Sequence, residues 1–167
     1  SIADTGAMPN LPVNNAIEAM ASGNAGMYLQ TSAVQNGLLR GAQGKFELRA
    51  APMPSFGDKP AKPTNSGSAL VIMTRDPQKQ RAAWELMKHL TSDYGYTIIT
   101  SKIGYLPLRP KAIESEEFLA PWIRQNPVVV PNLAQLKVVN QWVPHPGPNY
   151  KQIITTMMNA AEEATFG

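Results

Sequence analysis

The sequence contains no cysteine, which excludes disulfides, thiol catalysis and thiolate zinc sites. Only two histidines are present. His89 has no second ligand at metal spacing, so it reads as a cation near a helix C-terminus. No apolar run approaches the ~20 residues that a membrane-spanning helix needs. Lysine and arginine are scattered from Arg40 to Lys151 without a run, and the net charge of +3 is mild. A surface that tracks nucleic-acid phosphates is therefore not expected. Catalytic signatures are missing as well: there is no Gly-x-Ser-x-Gly elbow, P-loop lysine, His-Glu-x-x-His helix or acidic metal cluster. Glu114, Glu116 and Glu117 lie close together, but beside Ser115 and Phe118 they read as a solvated helix face. Nothing calls for a cofactor or a metal, and no repeat period is visible.

What is present is an ordinary globular composition. The 167 residues are 43% hydrophobic and 16% charged, enough for a domain with a real core. Fifteen prolines imply many extended connections. Residues 1 to 12 read as a loop. A short helix follows, capped by Asn14 or Asn15 and carrying Ala16, Ile17, Met20 and Ala21 on one face, and Gly23 ends it. Three segments read as strands: residues 25 to 30, the alternating residues 46 to 53, and the continuous apolar run 69 to 73. Between the last two, residues 55 to 67 are rich in proline and glycine and read as a long connection. Val34, Leu38 and Leu39 predict a short helix capped by Thr31 or Ser32. Asp76-Pro77 is a strong helix start, opening a helix to about Thr91 that would bury Ala82, Ala83, Leu86, Met87 and Leu90. Ser92 can cap another helix that leads to Gly104. Beyond Pro110, helices are expected around 112 to 117, around 133 to 139, and from about Asn149 with the stripe Ile153, Ile154, Met157, Met158, Ala161 and Ala164.

Several of these stretches carry motifs. They are Gly23-Asn-Ala-Gly-Met27, Pro52-Met-Pro54, Ser66-Gly-Ser-Ala-Leu-Val-Ile72, Ala83-Trp-Glu-Leu-Met-Lys-His-Leu-Thr-Ser92 and Ile103-Gly-Tyr-Leu-Pro-Leu-Arg109. In this order they resemble the carboxy-terminal part of the extracellular solute-binding proteins of ABC importers, the group that includes maltose-binding and glycerol-phosphate-binding proteins. The resemblance covers roughly residues 15 to 110, with a looser match to the end. It implies an α/β architecture, part of a two-lobed type II periplasmic binding protein, with a ligand closed between lobes by a hinge motion. On that reading residues 1–56 belong to the second lobe, 57–66 cross between lobes, 67–106 join the first lobe, 107–111 cross back, and 112–167 complete the second. A secreted protein of this kind should begin with a signal segment. This chain instead opens with Ser1-Ile2-Ala3, so it is read as an internal-to-carboxy-terminal piece of a larger protein.

The resemblance also implies ligand-facing positions. In the glycerol-phosphate-binding branch these match Ser32, Gly67, Tyr105 and a Pro-x-x-Arg motif, which here reads Pro148-Asn-Tyr-Lys151. Lysine lacks the fork that grips phosphate at two points, so Lys151 weakens a phosphate assignment. Taken from the residues alone, His145-Pro-Gly-Pro-Asn-Tyr-Lys151 is either a turn with a solvent lysine or an anion or polyol site at a helix start, with Tyr150 and Lys151 as donors. Trp142 and Trp122 could stack on sugar faces or serve as core residues. Ser32 could cap a helix or meet a ligand, and Gly104 could be an ordinary helix-ending glycine with Tyr105 packed on the surface. The expected function is capture of a sugar, polyol or glycerol-phosphate-like solute in the periplasm for delivery to ABC permease subunits, without covalent chemistry. A second copy could exchange elements with the first to form a homodimer. The alternative from another class is a small carbohydrate-modifying or hydrolytic enzyme.

Overall fold

The computed structural model describes residues 2–65 and 67–167. Ser66, which opens one of the motifs and closes the 57–66 connection, lies outside the described residues. Helices dominate: α1 (Val13–Ser22), α2 (Gln35–Ala42), α3 (Pro77–Leu90), α4 (Asp93–Lys102), α5 (Pro110–Glu114), α6 (Ala120–Gln125), α7 (Val130–Gln135) and α8 (Tyr150–Phe166). Short 3-10 turns lie at Ala3–Thr5, Ser32–Val34 and Pro127–Val129. Two short strands, β1 (Thr64–Asn65) and β2 (Asn140–Gln141), pair in parallel, Thr64 opposite Asn140 and Asn65 opposite Gln141.

The helix boundaries follow from local chemistry. The Asp76 carboxylate accepts the backbone N–H groups of Gln78 at 2.8 Å and Lys79 at 3.4 Å, and Pro77 then occupies the first helical position, where no amide is needed. Ser92 caps α4 by accepting from Gly95 at 3.1 Å. Gly23 closes α1 in the left-handed conformation. The proline-punctuated stretch after residue 119 is helical: Pro121, Pro127 and Pro131 each sit in a first turn, where the missing N–H is harmless. The expected helix over 112 to 117 stops at Glu114, so Glu116 and Glu117 lie in the following turn and not on a helix face. Helix α7 likewise covers 130 to 135, earlier than the expected 133 to 139.

The three expected strands do not form a sheet. Residues 25 to 30, 46 to 53 and 69 to 73 are non-helical and have no ladder partner among the described residues. The period was real: Phe46, Leu48 and Ala50 are partly covered while Glu47 and Arg49 face solvent. A strand is completed only by a neighbour that takes its backbone donors and acceptors. The long connection, conversely, contains β1.

The core is small; it lies where α4 to α7 meet and includes Leu38 and Ala42, which are buried on α2. Leu119, Val129, Thr100 and Pro107 are fully buried, with Ala112 beside them. The Leu119 N–H donates to the Ala112 carbonyl at 3.0 Å, joining α5 to α6. Helix α1 crosses α2 where Gly41 meets Ala21; a Cβ on Gly41 would stand 2.6 Å from the Ala21 Cβ. Helix α3 buries less than its stripe suggests. Ala83, Met87 and Leu90 are partly covered, whereas Ala82 and Leu86 are exposed, because α4 is its main neighbour. The accessible surface totals 12748 Å² for 18.1 kDa, against roughly 8,100 Å² for a self-contained folded chain of that mass. Met27, Leu29, Val71, Met73 and Met158 are among the large apolar side chains left exposed.

Candidate functional site: the Ser32 corner and the Tyr105 turn

An extended segment enters this site and a helix leaves it. The Gln30 side chain donates to the Tyr28 hydroxyl at 3.0 Å and accepts the Thr31 N–H at 2.9 Å, which fixes the approach. Thr31 then caps the 3-10 turn, its hydroxyl accepting from the Ala33 N–H at 3.4 Å. Capping therefore falls to Thr31, and the half-buried Ser32 hydroxyl is left without a protein partner among the described residues.

The second half of the site comes from the end of α4. Ile103 and Gly104 both donate to the Ile99 carbonyl, at 3.0 and 3.3 Å, and the chain turns out of the helix at Gly104 with φ of 113°. A side chain there is disallowed twice over. The left-handed backbone disfavours it, and a Cβ would lie 2.9 Å from the Ser32 carbonyl oxygen and 3.4 Å from that of Ala33. Gly104 is thus more than a helix stop, because its missing side chain lets the turn seat directly on the Ser32 corner. Next along the chain, Tyr105 is 37% exposed, and no hydrogen bond to its hydroxyl exists among the described residues.

Both flanks of Tyr105 are anchored. Pro107 is fully buried. Beyond it, the Arg109 Nε donates to the Thr91 carbonyl at 2.5 Å and lies 3.9 Å from Asp93 Oδ1, tying the turn to the α3 to α4 junction. An open recess of about 530 Å³ runs beside it, lined by Thr91, Asp93, Tyr96, Leu108, Arg109 and Lys111 among others.

The remaining expected residues fall into two other groups. Gly67 and Trp142 follow β1 and β2 off the same end of the parallel pair, and Trp142 is 43% exposed. Tyr150 and Lys151 form the exposed first turn of α8, where Asn149 supplies no side-chain cap. Helix α8 rests on the Ala3–Thr5 turn, and Asn10 donates to its Glu162 at 2.5 Å. No hydrogen bond or ion pair among the described residues joins these groups to Ser32 or Tyr105. Sequence reading passed over Tyr28, Gln30 and Asn36, which hold the corner in place; the polar pair Gln35-Asn36 inside an apolar helical stripe was the available signal.

A family model described as bacterial extracellular solute-binding protein matches residues 1–126. The chain belongs to the bacterial extracellular solute-binding proteins. No curated protein and no solved structure matches it. The family serves transport from outside the cytoplasm and is typically non-catalytic. The matched stretch contains Ser32, Gly67 and Tyr105, whereas Trp142, Tyr150 and Lys151 lie beyond it. No helix among the described residues is long and apolar enough to cross a membrane.

Proposed function

We propose that these residues are the carboxy-terminal part of a two-lobed solute-binding protein that captures a sugar, polyol or glycerol-phosphate-like solute for an ABC permease. Ser32 and Tyr105 present hydroxyl groups to the solute, and closure of the lobes displays a surface that the permease subunits recognise. The observation that carries this reading is the seating of Gly104 on the Ser32 carbonyl, which packs the backbone that leads into Tyr105 against the Ser32 corner from a distant part of the sequence. Residues 1–56 and 112–167 belong to the second lobe and 67–106 to the first, with crossings at 57–66 and 107–111.

The excess surface and the three unpaired extended segments support an arrangement in which other strands of a larger polypeptide complete the sheets. It follows that the 167 residues alone bind weakly or not at all. Gly67, Trp142, Tyr150 and Lys151 contribute from other walls of the cleft, Lys151 by charge and without the two-point grip of arginine.

The test is a thermal-shift panel of maltose, glycerol and sn-glycerol 3-phosphate on the full-length polypeptide. A solute at a hundred times its Kd stabilises the folded form by about 2.7 kcal/mol, which reads as a rise in Tm that shrinks as the unfolding unit grows. A flat panel rejects the assigned solute class.

A further inference from the structure

We infer that Asn36 is a positioning residue that sets the Tyr105 turn against the Ser32 corner without touching the solute. Asn36 lies in the first turn of α2 and is 6% exposed. Its Nδ2 donates to the carbonyls of Thr100 at 3.1 Å and Ser101 at 3.0 Å. Those two carbonyls belong to the last turn of α4 and have no backbone partner among the described residues, because Ile103 and Gly104 both turn back to Ile99. Since both partners are carbonyls, the amide orientation is fixed: only the NH2 side can face them.

One side chain therefore closes the end of a helix 64 residues away. The backbone N of the same residue lies 3.5 Å from where a Gly104 Cβ would stand. Ser32, Asn36 and Gly104 thus form one junction, with Asn36 supplying its side-chain hydrogen bonds to the α4 end. A neighbouring pair reinforces it: Asn132 of α7 donates to Gln35 Oε1 at 2.6 Å and holds the start of α2 from the other side. Thr100, whose carbonyl Asn36 takes, is itself fully buried. Removing the amide leaves two partly or wholly buried carbonyls unpaired and frees the turn to drift, which matters at a site where both hydroxyls must meet one ligand.

This role rests on the solute-site reading above, and the experiment separates the two. Affinity for maltose and for sn-glycerol 3-phosphate is measured by calorimetry on the full-length polypeptide and on its Asn36→Ala, Tyr105→Ala and double variants. The expectation is a loss on the order of tenfold for Asn36→Ala, and no further loss when it is added to Tyr105→Ala, since a residue acting through Tyr105 has nothing left to position. A merely structural residue would lower melting temperature while leaving affinity unchanged, or would add its effect in full to that of Tyr105→Ala; either result overturns the inference. If Tyr105→Ala abolishes binding and Asn36→Ala does not weaken it, only the role of Asn36 fails. If neither probe binds the unmodified protein, the solute-site reading fails and takes this role with it. Hydrogen exchange on the unmodified protein needs no variant to fold: on adding whichever of the two probes binds, the amides of Gly104 and Tyr105 gain protection in step with those of Asn36 and Gly37. Independent protection of the two segments would equally overturn the coupling.

Discussion

Replacing Gly104 by alanine puts one methyl group where the backbone conformation and a neighbouring carbonyl both oppose it. At φ of 113° a non-glycine residue costs about 1 to 3 kcal/mol. The added Cβ, 2.9 Å from the Ser32 carbonyl oxygen, meets a backbone atom that cannot swing aside, and overpacking of this kind costs about 1 to 3 kcal/mol more. The two penalties are partly shared, because relaxing the turn relieves both, so the prediction is a loss of about 2 to 4 kcal/mol. For a chain of this length each kcal/mol lowers Tm by about 2 to 4 °C, giving a drop of roughly 4 to 16 °C. Urea unfolding followed by circular dichroism gives the free energy directly, and an unchanged slope shows that the unfolded state is not the cause. A Gly104→Ala protein within about 0.5 kcal/mol of the parent would refute the claim that this turn is wedged against the Ser32 corner.

Gly37, exposed inside α2 with open space around its Cβ position, provides the opposite case; Gly37→Ala should stabilise by about 0.5 to 1 kcal/mol in the same urea assay. Asp76→Ala removes the cap of α3 and should cost about 0.5 to 2 kcal/mol, read by urea unfolding and by faster amide exchange at Gln78 and Lys79. Glu116 accepts two hydrogen bonds from Arg124 at 2.7 Å each, and those bonds hold its carboxyl below the usual glutamate range. Because the folded value lies below the unfolded one, any stabilisation from this exposed pair is present at neutral pH and is lost as pH falls through the lowered value. A carbon-detected NMR titration should find the Glu116 midpoint below that of an ordinary glutamate, and Arg124→Ala should restore the ordinary value.

Local punctuation was the most legible part of the fold. Asp76-Pro77, Ser92, Gly23 and Gly104 each bound a helix through chemistry confined to a few neighbouring residues, and each does so in the structure. Residues 46 to 50 show why strands were harder. Their alternation correctly tells which side chains turn inward, yet pairing depends on a second segment that periodicity cannot supply. The abundance of proline implied extended connections, yet the prolines after residue 119 occupy first turns of helices. At the site, Tyr105 and Ser32 stood out by motif. Asn36 did not, because a polar pair within an apolar helical stripe does not by itself name its partners, which lie 64 and 65 residues away.

The most direct test of the proposed site is a double-mutant cycle on solute affinity with Ser32→Ala and Tyr105→Phe, measured by calorimetry in the full-length polypeptide. If both hydroxyls meet one solute at one corner, the two losses are coupled by about 0.5 kcal/mol or more. Full additivity, or unchanged affinity in both single variants, would contradict the account.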